Sequence, residues 1–180
     1  MQNVWLGVML MTVLSCGDKS TDTGTSTEEP TDTGETPVNL IDNPCEDSAD
    51  SLEVLYSGWG GFDEPFGTGG LTITTQEEWD AFVTGFSFGR DSDSFSRDTF
   101  DWSTEQVLVG SVFQSSTCGL SMLVSAACNV AGEAIVHMQV EDSSGGCDAV
   151  CDAEGQQVYI VAAPSSLTPE YSLHVIDACQ

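Results

Sequence analysis

Apolar positions in this chain come in short runs, broken by glycine, proline and acidic residues. Leu52–Tyr56 is a brief apolar run of strand length, and Leu71–Thr74 is a second. Between them lie Gly58, Gly60, Gly61, Gly67, Gly69 and Gly70, a density that predicts a loop over 58–70. Thr75-Gln76-Glu77-Glu78 has the form of a capping box, with Thr75 as N-cap and Glu78 three residues on. Trp79, Phe82 and Val83 then recur at helical spacing, so a helix with one apolar face is expected to end near Gly85. Asp91–Asp98 reads as a polar loop.

The second half is richer in strand signals. Val107–Phe113 is the most apolar run and predicts a central strand. Leu120–Ala127 and Ala134–Val140 predict a hairpin joined across Asn129–Gly132. Val158–Ala162 and Tyr171–Ile176 complete the set, with Pro164 and Pro169 bounding the loop between them. The predicted fold is α+β and mainly antiparallel β. It is a sandwich-like arrangement of about seven strands with one early amphipathic helix.

The N-terminus follows a different pattern. Residues 4–14 form an apolar stretch too short to span a bilayer, which takes about 20 residues, but suited to the core of a secretory signal. It ends in Val13-Leu14-Ser15-Cys16-Gly17. A small residue before a cysteine at the end of such a stretch resembles the bacterial lipobox. That resemblance implies a signal peptide over 1–15, lipidation of Cys16 and a membrane anchor through that lipid. Gly17 after the cysteine implies the outer membrane or cell surface. The next stretch, Lys19–Pro37, repeats Thr-Asp-Thr-Gly and has no aliphatic or aromatic side chain. It cannot bury enough surface to offset its ordering entropy, so 16–38 is expected to be a tether and 39–180 the folded domain.

Composition narrows the partners. The chain holds 29 Asp and Glu against 3 Lys and Arg, for a formal charge of −26. Without a cationic stripe there is no footprint for nucleic acid and no polybasic membrane patch. So acidic a domain repels itself at low ionic strength, and a calcium-rich or saline habitat would relieve that repulsion.

Six cysteines remain beyond Cys16: Cys45, Cys118, Cys128, Cys147, Cys151 and Cys179. An even number in an exported domain points to three disulfides, with the pairing open. A zinc site is disfavoured, because no C-x-x-C pair is present and His137 and His174 stand apart in the sequence.

Catalytic signatures are missing. No G-x-S-x-G elbow and no H-E-x-x-H occurs. His137 and His174 sit in apolar strand patterns, where a structural role is expected. With so many acids, chance carboxylate pairs carry no signal. Asp91, Asp93 and Asp98 space oxygen ligands along one loop but lack the glycine and bidentate glutamate of an EF-hand, so a solvated loop is expected there. Trp59, Phe62 and Phe66 are aromatics in the glycine-rich stretch, expected to fold back over the core edge. No cofactor and no metal site are expected.

The order of these features resembles the C-terminal domain of the PrcB protease-complex subunit family, over about residues 53–177. The residues that carry the resemblance are the helix start Thr75–Trp79 and the approach to a strand at Thr99-Phe100-Asp101-Trp102. The small-residue turn Ser116-Thr117-Cys118-Gly119-Leu120 before the hairpin and the Cys147 loop before Val158–Ala162 extend it. The family turn usually reads Pro-Thr-Gly-Gly-Tyr, and the proline and aromatic are replaced here. The resemblance implies an exported, lipid-anchored protein without a catalytic centre, acting as an accessory subunit of a surface protease complex. It also suggests Cys118 bonded to Cys147 or Cys151. Cys45 and Cys179 sit near the two ends of the domain, where a bond between them would staple those ends. A calcium-dependent surface component and an enzyme with an unrecognised site are the alternatives.

Overall fold

The computed structural model describes residues 40–62, 69–89, 94–114, 119–143 and 155–178. All of them lie in a unit spanning Asn39–Gln180. Lipidation at Cys16, the tether, Phe66, Asp91, Asp93, Cys118, Cys147, Cys151 and Cys179 fall outside the described residues.

The described residues form eight strands and one helix. The strands are β1 (Glu53–Phe62), β2 (Gly69–Ile73), β3 (Phe86–Phe88), β4 (Glu105–Gln114), β5 (Leu120–Val130), β6 (Glu133–Asp142), β7 (Gly155–Pro164) and β8 (Thr168–Asp177). The helix α1 covers Gln76–Gly85. Five strands make one antiparallel sheet in the order β2-β4-β7-β1-β3. The other three make a second sheet in the order β5-β6-β8, in which β5 and β6 are antiparallel and β6 and β8 parallel.

Two cores lie on opposite faces of the five-stranded sheet. Along β4, Val107 and Val109 enter one core while Leu108 and Val112 enter the other. Along β7, Val158, Ile160 and Ala162 enter the first, and Tyr159, Val161 and Ala163 the second. This alternation explains why both strands read as unbroken apolar runs: each is covered on both faces. One cover is α1 with its aromatic cluster of Trp79, Phe82, Phe86 and Phe100. The other is the three-stranded sheet, through Val136, Met138 and Val140.

The predicted capping box is present. Thr75 accepts from the Glu78 N–H, and the Glu78 carboxylate accepts from the Thr75 N–H. The hairpin turn is present too, and Ala131 (φ 53°) and Gly132 (φ 93°) both take positive φ, the geometry of a type I′ turn.

The structure departs from the expected elements in several places. The described residues form eight strands rather than about seven, and the helix is not an early element, since β1 and β2 precede it. The glycine-rich stretch is not all loop: Gly58, Gly60 and Gly61 lie in β1, and Gly69 and Gly70 in β2. Here glycine serves close packing, because a Cβ on Gly60 would sit 2.4 Å from the Phe86 ring. Phe86–Phe88 is a strand too short to show periodicity, and it pairs with Gly60–Phe62. Finally, Val83 is 37% exposed, so the buried face of α1 is Trp79 and Phe82 alone.

Candidate functional site

The three-stranded sheet turns one face to the core and the other outward. Residues 134, 136, 138 and 140 of β6 face inward, so Ile135, His137, Gln139 and Glu141 point the other way. Such an outward face is normally solvated. His137 and Gln139 are nevertheless fully buried.

The segment before β1 contributes to this burial. The Ile41 N–H donates to Gln139 Oε1 at 3.0 Å. Four residues on, Cys45 is disulfide-bonded to Cys128 of β5, which stands opposite Ile135 and so on the same outward face. The next residues are stitched to the end of β5. Ser48 Oγ donates to the Asn129 carbonyl, Asn129 N–H to the Asp50 carbonyl, and Leu52 N–H to the Ala127 carbonyl. Leu40–Cys45 is therefore a strap, fixed at its C-terminal end by a covalent bond. The pairing of Cys45 with Cys179 is overturned by this bond. The reason is topological: the segment leading into β1 crosses the sheet edge where β5 ends, a proximity invisible in linear spacing.

Beside the strap lies a histidine pair. His137 on β6 stands in register with Ser172 on β8, and Gln139 with His174. The Ser172 hydroxyl is 3.1 Å from His137 Nδ1 and 3.1 Å from His174 Nε2. The two rings are 5.5 Å apart. Burial, and secondarily the charge of His174, hold the His137 pKa below the ordinary imidazole range. His137 Nε2 and Gln139 Nε2 are buried without a hydrogen-bond partner. The histidines are far apart in sequence yet adjacent in space, because β6 and β8 pair in parallel. Ser172 and Gln139 have no sequence signal that marks them. Along the sequence, the alternation of Ile135, His137 and Gln139 with Val136, Met138 and Val140 is the signal that places His137 and Gln139 on a common face.

A second feature is an open groove of about 770 Å³ between α1 and Ser94–Thr99, floored by Trp79, Phe88 and Phe95. Arg97 lines it, and its guanidinium is held by Glu105 at 2.9 and 3.1 Å and by Glu53 at 2.9 Å, which pushes its pKa up. It also stacks over Phe100, 4.6 Å from the ring centre. The same hydrogen bonds from Arg97 pull the Glu105 pKa down. Trp59 and Phe62 pack against the two cores, as expected of aromatics folded back on the core edge.

Among the described residues, no group of three or more His, Cys, Asp and Glu side chains is arranged to hold a metal ion. Comparison with protein-family models, curated proteins and solved structures yielded no match to this chain.

Proposed function

We propose that this chain is an exported, lipid-anchored, non-catalytic protein whose β-rich domain binds another exported protein. The specific form of the proposal is an accessory subunit of a surface protease complex. The observation that carries it is the Cys45–Cys128 disulfide, a bond that belongs to an oxidising compartment. It agrees with the lipobox-like Cys16 and the Thr/Asp-rich spacer that precede the domain. The burial of His137 supports a binding module over a hydrolase that would use this ring. The groove beside α1 is a concave surface that such a partner would meet.

Metabolic labelling with palmitate, with and without Cys16→Ser, tests the anchor. Label retained by Cys16→Ser would overturn it. The enzyme alternative rests on the His137–Ser172–His174 arrangement. A broad hydrolase panel with each histidine replaced singly decides that alternative.

A further inference from the structure

The strap and the face beneath it are poorly matched. Leu40 and Ile41 are 54% and 42% exposed, so the strap covers the sheet without burying its own large apolar side chains. One hydrogen bond, Ile41 to Gln139, is its described polar contact with β6. Beneath it two buried polar atoms, His137 Nε2 and Gln139 Nε2, go unpaired. Buried donors and acceptors are nearly always satisfied, and leaving one unmade is costly. The strap is held at Cys45 by a covalent clip, while its non-covalent match to the face is poor.

Gln139 indicates what would fit better. Its Oε1 already accepts a backbone N–H, while its Nε2 still has donors to offer. A side-chain amide used from both ends pairs with the N–H and C=O of an extended main chain. His137 Nε2 lies on the same face, two residues along β6.

We propose that Leu40–Cys45 is a releasable strap, and that the face bearing His137, Gln139, Ser172 and His174 binds an extended polypeptide segment when the strap lifts. The inference rests on the protein-binding reading above and names the partner's chemistry: main-chain amides in extended conformation, read by Gln139. The strap itself acts as the resident occupant, and the Cys45–Cys128 bond sets how easily it leaves. A dithiol reductant that returns both sulfurs to thiols, itself becoming a disulfide, would free it.

The test uses the full chain in detergent and a fluorescent peptide of residues 40–47 carrying Cys45→Ser as the probe. Oxidised wild type should give no saturable anisotropy change, and the Cys45→Ser/Cys128→Ser variant should bind saturably. Adding Gln139→Leu to that variant should weaken binding about tenfold, the effect of one lost hydrogen bond. A double variant that melts cooperatively yet binds no peptide overturns the proposal, as does binding indifferent to Gln139→Leu. Should the double variant not fold, hydrogen exchange on oxidised wild type decides. The Ile41 amide should exchange at least about 100-fold faster than the amides of β6, as expected of a locally opening segment. Equal rates would overturn the releasable strap. If these tests fail while a stoichiometric partner is still captured from membranes, only the peptide face falls; if no partner exists, the binding reading itself falls.

Discussion

Cys45 and Cys128 are bonded across 83 residues of sequence, joining the segment before β1 to the outward face of β5. A cross-link that closes so long a loop restricts the unfolded chain strongly. Removing it with Cys45→Ser/Cys128→Ser should cost about 2–4 kcal/mol in urea-unfolding experiments. A loss under about 0.5 kcal/mol would mean that the strap contributes little to the folded state.

His137 makes stability pH-dependent. Burial lowers its folded pKa, while the unfolded chain titrates near the ordinary 6.5. Above that value both states are neutral and nothing is lost. As pH falls through about 6.5, the unfolded chain takes up a proton that folded His137 resists, so stability declines until the folded pKa is reached. The slope from one such group is at most about 1.4 kcal/mol per pH unit. His137→Gln should flatten the wild-type curve between about pH 7 and 5. Glu105 acts in a lower window, where its depressed pKa makes stability fall as it protonates. Parallel curves for wild type and His137→Gln would contradict the burial of this ring.

The hairpin turn offers a stabilising substitution. Ala131 holds a left-handed φ of 53°, a conformation that asparagine tolerates better than alanine. Ala131→Asn should raise stability by about 0.5–1 kcal/mol. Gly132→Ala should lower it by about 1 kcal/mol through backbone strain alone, since beyond its own residue and chain neighbours the added Cβ meets nothing within 4 Å. Thermal melts of the two variants should move in opposite directions.

Neighbouring glycines in β1 should respond differently. A Cβ on Gly60 meets the Phe86 ring at 2.4 Å, whereas one on Gly61 meets nothing within 4 Å. Phe86 is hemmed in by Tyr56, Phe62, Phe82 and Phe88. It cannot yield freely, so Gly60→Ala should cost about 1–3 kcal/mol and Gly61→Ala less than about 0.5 kcal/mol. Equal melting temperatures for the two variants would show that Phe86 has room to move.

Features encoded locally were legible in the sequence. Thr75 and Glu78 announce a helix start because both halves of the capping box lie within one turn. Val107–Phe113 announces a central strand because a strand covered on both faces has no polar side to show. The β5–β6 hairpin is legible from its turn and the lengths of its arms. What stayed hidden depends on pairings distant in sequence. Gly60 reads as loop until Phe86 is seen to need its space. Cys45 has no spacing that selects Cys128 over Cys179. Ser172 is one serine among many until parallel pairing of β6 and β8 sets it between two histidines. His137 is buried in its strand as its apolar neighbours in the sequence suggest, yet its Nε2 lacks a hydrogen-bond partner, and its approach to His174 has no signal in linear spacing.

The most direct test of the account is affinity capture of the full-length protein from mild-detergent membranes in calcium-containing buffer, followed by quantitative mass spectrometry. The account predicts one exported protein, a protease in its specific form, recovered at a fixed molar ratio with the chain. Recovery of the chain alone, together with a hydrolase activity that disappears on replacing His137 or His174, would contradict it.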